Sequence, residues 1–313
     1  MIGIQDILQA AERIAPHIHH TPIMTSRTIN AMFGAEIFFK CENLQKVGAF
    51  KARGAVNAVM QLDDNTARRG VITHSSGNHA QALAYAAGLR GIACTIIMPD
   101  TAPAVKAAAV RGYGAEIIFC KPTLESRLRT MEEVAQRTGA HVVPPYDDDR
   151  IMAGQGTAGL ELCEQVERLD LVMAPVGGGG LMGGVATAVR ALQPGALIVG
   201  AEPAIADDAR ESLRTGVLQP PADRMTIADG LRTGLSERTF AQLRSMGVEI
   251  ETASEESIRS GTLLVMSRLK LVVEPSAGVS IGVLLERPDL ARGRRIGIVL
   301  CGGNIDLGSL VFG

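Results

Sequence analysis

The sequence predicts an α/β protein, and three observations carry that reading. Short apolar runs alternate with longer stretches of helical period over most of the chain, as a largely parallel sheet with helices on both faces requires. The runs are rich in Val, Ile, Leu and Phe, as strands buried on both sides are. A turn-forming, charged segment, Pro-Pro-Tyr-Asp-Asp-Asp, divides the alternation into two βα-rich stretches.

In chain order, the first strand falls at 36–40 (EIFFK) and is followed by a helix over 52–62. A strand at 70–73 (GVIT) leads into an alanine- and leucine-rich helix over 78–89, both residues being good helix formers. Strands at 94–98 (CTIIM) and 116–119 (EIIF) follow, then the charged helical stretch 125–137. Beyond it lie a helix over 152–167 and strands at 171–174 (LVMA), 197–201 (LIVGA) and 296–300 (IGIVL). The segment 144–149, Pro-Pro-Tyr-Asp-Asp-Asp, has the turn-forming, charged composition of a linker and separates two βα-rich stretches, 70–147 and 148–313. No internal repeat or low-complexity tract interrupts them.

With 313 residues and 46% hydrophobic content, the chain has enough apolar surface for about two compact domains. A formal net charge of -2 gives no electrostatic attraction to nucleic acid or an anionic membrane. Only 3% of the residues are aromatic, and none is Trp, so stacking platforms for single strands are scarce. A small-molecule partner is expected. Cys41, Cys94, Cys120, Cys163 and Cys301 are odd in number and widely spaced, which reads as reduced thiols rather than a disulfide framework. The amphipathic start, with Asp6, Glu12 and Arg13, fits neither a signal peptide nor a membrane span. A cytoplasmic location is expected. His17, His19 and His20 lack a supporting carboxylate and read as surface residues.

Three segments carry chemistry. Gly177, Gly178, Gly179 and Gly180 follow an apolar run and precede a helical stretch. Without β-carbons, their N–H groups can converge on an anion at a positive helix start, which makes a phosphate cradle. A tight strand-to-helix turn is the plain alternative. A dinucleotide loop is another, but its spacing has to be read through VGGGGLMGG, and no acidic residue closes the next strand before Glu202. Ser75, Ser76, Gly77, Asn78 and His79 open the helix 78–89. Hydroxyls, an amide and free N–H groups there suit a carboxylate, while ordinary capping by Ser and Asn explains them too. Lys51 opens a helix beside Phe50 and small residues. Partial burial would make it a nucleophile and base, although a solvated lysine is the plain reading of this residue taken alone.

Taken together and in order, KCENLQKVGAFKARGA, HSSGNHAQALA, AGQGTAGLEL, VGGGGLMGG, GAEP and VLCGGNIDL resemble the serine/threonine dehydratase and serine racemase family of fold-type II pyridoxal phosphate enzymes. The resemblance spans nearly the whole chain. Within the family it is most similar to 3-hydroxyaspartate dehydratases and eukaryotic-type serine racemases, which share the ENxQxxGAFK form and the PPYD segment. It implies two domains, each with a largely parallel sheet flanked by helices. Residues 1–69 and 148–313 would form the large cofactor-binding domain and 70–147 the small substrate-loop domain.

The resemblance also implies pyridoxal 5'-phosphate held as a Schiff base on Lys51. Phe50 would pack on the cofactor ring, Asn78 bond to it, Gly177, Gly178, Gly179 and Gly180 hold its phosphate, and Cys301 face the pyridine nitrogen. A thiol there is a weak, uncharged partner, which favours elimination over transamination. Ser75, Gly77, Asn78 and His79 correspond to the substrate-carboxylate loop. Lys51 would remove the Cα proton before the β-hydroxyl leaves as water, giving a 2-oxo acid and ammonia. Ser76 stands where serine racemases carry the acid/base of the opposite face, and capping remains its alternative.

Glu202, the Ala206 carbonyl and Asp208 match a divalent cation site, an oxygen set suited to Mg²⁺, Ca²⁺ or Mn²⁺. Arg127 matches an arginine that meets the far end of dicarboxylate ligands, and Arg232 lies near another substrate-side loop. An arginine fork favours 3-hydroxyaspartate, and both residues read equally as surface arginines. The expected activity is an ammonia-lyase acting on 3-hydroxyaspartate, L-threonine or L-serine. A serine or aspartate racemase with side dehydratase activity is the alternative. The family further implies a homodimer.

Overall fold

The computed structural model describes residues 1–222 and 225–306. The chain begins with α1 (Ile4–Ile14), β1 (Ile23–Met24), α2 (Arg27–Phe33), β2 (Glu36–Lys40), α3 (Lys51–Met60) and α4 (Asp64–Arg68). It continues with β3 (Val71–His74), α5 (Asn78–Arg90), β4 (Cys94–Pro99), α6 (Ala104–Gly112), β5 (Glu116–Cys120), α7 (Leu124–Thr138) and β6 (His141–Val142). After these come α8 (Asp149–Gln165), β7 (Leu171–Pro175), α9 (Gly180–Leu192), β8 (Leu197–Pro203), α10 (Asp208–Thr215), α11 (Glu237–Ser245) and β9 (Glu249–Ala253). The last elements are α12 (Glu255–Leu269), α13 (Pro275–Glu286) and β10 (Arg295–Val299).

The fold is α/β, as expected, with two separate sheets. One has the order β1-β2-β10-β7-β8-β9 and the other β5-β4-β3-β6. Every pairing is parallel except that of β1 with β2. The seven expected strands are present, with ends shifted by at most two residues. Three strands were not anticipated. β1 and β6 are only two residues long, too short to show a period, and β9 (EIETA) carries two acids in five positions. Helix α8 starts three residues before the expected 152, because Asp148 accepts the Arg150 N–H and caps it.

The four-stranded sheet uses strands from 71–142 only, yet its core also takes in Ala52, Ala55, Val56 and Val59 of α3. Helix α3 therefore lies at the joint between the sheets. It packs so closely on α8 that a Cβ on Gly154 would lie 2.6 Å from Gly54 Cα. Helix α8 meets α9 in the same manner, since a Cβ on Gly184 would lie 2.4 Å from Gly156 N. Backbone-to-backbone contact of this kind ties three helix positions together with little slack. A buried charge cluster fastens the same joint. Arg53, wholly buried, pairs with Glu42 at 2.7 Å and Glu161 at 2.6 Å, and Lys40 shares Glu161 at 2.5 Å. Two cations and two anions offset one another, which is the condition for keeping such charges out of water.

Candidate active site

Lys51 is the first residue of α3, and the turn before it is strained. Val47 has φ +56°, a region that β-branched residues avoid. The far end of the chain pins this turn: Asn304 Nδ2 donates to Val47 O at 2.7 Å, and Gly303 N–H donates to Gly48 O at 2.9 Å. The Phe50 N–H donates to Cys301 O at 3.0 Å. Lys51 Nζ donates to Pro145 O at 2.6 Å and lies 5.2 Å from the centre of the Phe50 ring. Burial of the ammonium lowers its pKa to about 8, against the raising influence of Cys301 and Glu274. Lys51 thus keeps a proton at neutral pH but gives it up far more readily than a solvated lysine.

The glycine segment leads from β7 into α9. Among the described residues, none of the N–H groups from Gly177 to Met182 meets a hydrogen-bond acceptor. The carbon side of the loop is closed: a Cβ on Gly178 would lie 2.3 Å from the Tyr146 ring, and Gly179 has φ +81°. Any side chain larger than hydrogen is excluded, while a row of donors at a helix start stays free for an anion. Tyr146 follows Pro145, so two adjacent residues touch both the lysine and the glycine loop.

The start of α5 supplies a second set of free donors. Ser75 Oγ accepts the Gly77 N–H at 3.3 Å, and the N–H groups of Asn78, His79 and Ala80 have no acceptor among the described residues. A Cβ on Gly77 would meet nothing within 4 Å, so this position borders open space. Ser76 Oγ has no hydrogen-bond partner among the described residues, and the helix has no side-chain cap. The His79 side chain turns away from this loop into the core, where its Nε2 lies 3.0 Å from Val143 O. Only its backbone N–H remains available at the helix start.

Asn78 Nδ2 donates to both oxygens of Glu274, at 3.0 and 3.1 Å, and Cys301 Sγ lies 3.8 Å from Glu274 Oε1. Sequence reasoning missed Glu274, because an acid before Pro275 looks like an ordinary helix cap. It also missed Pro145 and Tyr146 as site residues, having read their segment as a linker and as part of the family pattern. Burial pushes the Cys301 thiol well above its usual range, and Glu274 adds to the effect, so the thiol is uncharged.

Arg127, on α7, is half-buried, and its Nε is buried without a partner. Burial first, and then the Arg127 charge, lowers the pKa of His74 at the end of β3, directly before Ser75. Arg232 directs its hydrogen bonds elsewhere. Its guanidinium is exposed and folds back onto Thr226 O at 2.5 and 3.0 Å, although the backbone of its neighbour Leu231 borders Gly177. The acids of β8 and α10 form a separate group. Glu202 accepts the N–H groups of Ala209 and Arg210, both at 3.0 Å, and burial pushes its carboxyl up to about 8. Asp208 accepts the Ala222 N–H at 3.2 Å with one oxygen, while the other, Oδ2, is buried and unpartnered. His17, His19 and His20 make scattered contacts with different neighbours.

Comparison with known proteins bears on this geometry. The family described as pyridoxal-phosphate dependent enzyme matches residues 14–302. A β-hydroxyaspartate dehydratase of Paracoccus denitrificans is 47% identical over 98% of this chain and 97% of its own length. An L-threo-3-hydroxyaspartate ammonia-lyase of Saccharomyces cerevisiae is 45% identical over 96% of this chain and 93% of its own. The crystal structure of a serine racemase from Dictyostelium discoideum superposes with a TM-score of 0.93 at 42% identity, covering 97% of this chain and 99% of that one. The free donors of the glycine loop, the desolvated Lys51 and the uncharged Cys301 suit the phosphate, carbonyl and ring nitrogen of such a cofactor. The chain belongs to the pyridoxal-phosphate dependent enzyme family.

Proposed function

We propose that this protein is a pyridoxal phosphate-dependent ammonia-lyase that dehydrates β-hydroxy amino acids, with 3-hydroxyaspartate as its preferred substrate. The observation that carries the reading is Lys51, a desolvated ammonium at a helix start, bonded to the carbonyl of a residue whose neighbour walls the glycine loop. Bound pyridoxal phosphate supplies an electron sink for the carbon bearing the substrate amine. Lys51 would hold the cofactor, and its Nζ would take the Cα proton, a task for which a pKa near 8 suits it. The N–H groups of Gly177, Gly178, Gly179 and Gly180, which have no protein acceptor among the described residues, would hold the phosphate. Phe50 would pack on the ring, Asn78 would bond to it, and the neutral Cys301 thiol would meet its nitrogen. The start of α5, with Ser75, Gly77, Asn78 and the His79 N–H, holds the substrate α-carboxylate. Loss of the β-hydroxyl as water would be followed by hydrolysis of the C–N bond, which takes up one water and leaves a 2-oxo acid and ammonia.

The substrate preference rests on Arg127, whose unpartnered Nε lies near the end of β3, one element from the α5 start. A second carboxylate would satisfy it. The names of the Paracoccus and Saccharomyces relatives support the same choice. Racemisation is a second reading, favoured by the unpartnered Ser76 Oγ and by the likeness to a serine racemase. Glu202, the Ala206 carbonyl and Asp208 are proposed to hold Mg²⁺ or a similar divalent cation, for which Asp208 Oδ2 is the unused oxygen. Residues 70–147 are proposed as the small domain and 1–69 with 148–313 as the large one, residues 223–224 and 307–313 lying outside the described residues. The exposed Leu263 and Val272, on and just beyond α12, are consistent with a homodimer face. Five free cysteines fit a cytoplasmic location, and among the described residues no helix is long and apolar enough to cross a membrane.

The test is an assay of the holoenzyme with Mg²⁺ on 3-hydroxyaspartate isomers, L-threonine, L-serine and D-serine. It follows 2-oxo acid, ammonia and enantiomer composition together. Fastest 2-oxo acid formation from 3-hydroxyaspartate is expected. Faster turnover of threonine or serine would overturn the substrate assignment, and interconversion of serine enantiomers without 2-oxo acid would replace the lyase with a racemase.

A further inference from the structure

Glu274 occupies the N-cap position of α13, directly before Pro275, where an exposed acid would sit favourably at the positive helix start. It makes no side-chain capping bond there. Its side chain turns inward instead, accepting from Asn78 with both oxygens and lying within reach of the Cys301 thiol. The residue is 5% exposed. Lys106, whose charge reaches it from α6, is itself paired with Asp229 at 2.8 Å. On another side, a Cβ on Gly302 would lie 2.8 Å from Glu274 Oε1, so residue 302 is tightly restricted beside the carboxylate.

The orientation of Asn78 is fixed by the same network. Its Oδ1 accepts Asn304 Nδ2 at 2.8 Å, and Asn304 also donates to Val47 O in the strained turn before Lys51. Asn78 must therefore present its amide hydrogens to Glu274. Neither Lys106 nor Lys51 forms an ion pair with Glu274 among the described residues, and a buried carboxylate without such a pair is costly. A carboxylate buried at that cost, with both oxygens on Asn78 and beside Cys301, points to a task for the side chain.

We propose that Glu274 is a positioning residue for this reaction: it holds the Asn78 amide and the Cys301 thiol as a pair, and its protonation sets whether the thiol hydrogen is engaged by the carboxylate or free for the cofactor ring. The inference rests on the reading of the site given above. Ionised, Glu274 accepts from both neighbours and keeps the thiol hydrogen. Protonated, it has a hydrogen of its own to give to the sulfur, and the S–H can turn away. Both forms exist near neutrality, since burial pushes this carboxyl up to about 7; the Asn78 bond opposes that, Asp229 raises it, and Lys106 and the Asn304 N–H lower it. Lys51 on α3 and Cys301 after β10 are the other titratable groups facing it.

The test reads the absorption spectrum of the bound cofactor between about pH 5.5 and 8.5 in the holoenzyme, in Glu274→Gln and in Cys301→Ala, at saturating pyridoxal phosphate. The native spectrum is expected to change in a single step near neutral pH. That step should disappear in Glu274→Gln, which has no proton to exchange, and in Cys301→Ala, which keeps the carboxyl but loses the thiol. A step that persists unchanged in either variant overturns the proposal, so Cys301→Ala decides the matter even if Glu274→Gln fails to fold. A native holoenzyme with no step overturns it and leaves the site reading intact. A native protein with no cofactor spectrum, indistinguishable from Lys51→Ala, overturns the site reading and the proposal together.

Discussion

On the proposed function, two residues divide attachment of the cofactor from choice of substrate. Lys51→Ala should abolish turnover and remove the visible absorbance of lysine-bound cofactor, because no other desolvated lysine adjoins both Pro145 and Phe50 among the described residues. Arg127→Met should act differently. Its Nε has no protein partner, so little folding energy is lost with it, whereas a charged hydrogen bond to a substrate carboxylate contributes about 1.5–3 kcal/mol. KM for 3-hydroxyaspartate is therefore expected to rise by about 10–100-fold, with KM for L-serine, which lacks that carboxylate, nearly unchanged. Steady-state kinetics on the two substrates would check this. An equal loss on both would place Arg127 in the fold of the small sheet. Arg232, already bonded to Thr226 O, should tolerate substitution with no change in that ratio.

Among the elements, α3 matters most, because it carries Lys51 at one end while its flank is locked to α8. Arg53→Met removes the cation shared by Glu42 and Glu161 and leaves Lys40 to offset two carboxylates. Breaking a buried pair by removing one partner typically costs about 3–5 kcal/mol, and urea unfolding of the variant should show a loss of that order. A loss under about 1 kcal/mol would mean that solvent or a rearranged Lys40 takes over. None of this was legible in the sequence, where Arg53 is one more polar residue two positions after a lysine. The strands with continuous apolar runs were legible because parallel strands buried on both faces need them, as in β7. The free N–H groups of the glycine loop and of the α5 start follow from local residue types. Glu274 was not legible, since its meaning depends on Asn78, 196 positions away in the chain, and the same holds for the Lys51 bond to Pro145 across 94 positions.

For the molecule as a whole, stability against pH depends on groups whose proton affinity burial has moved. His79 is the clearest case. Burial, then the charge of Lys51 and the presence of His74, lowers its pKa from 6.5 to about 3, despite the opposing bond to Val143 O. Between those values the unfolded chain binds a proton that the folded chain does not, so folding stability falls as pH drops through that window. Glu274 works in the opposite sense. Its carboxyl is raised from 4.5 to about 7, so the folded state binds the extra proton, and this contribution is lost as pH rises across that range. His79→Gln removes only the first effect. Urea unfolding of the apoenzyme at pH 7 and at pH 4.5 should show the native protein losing more stability on acidification than the variant does, by about 1.4 kcal/mol for each pH unit below 6.5. A stability difference between the two proteins that stays constant from pH 7 to pH 4.5 would show that His79 takes up its proton in the folded state, and that the core around Val143 admits water.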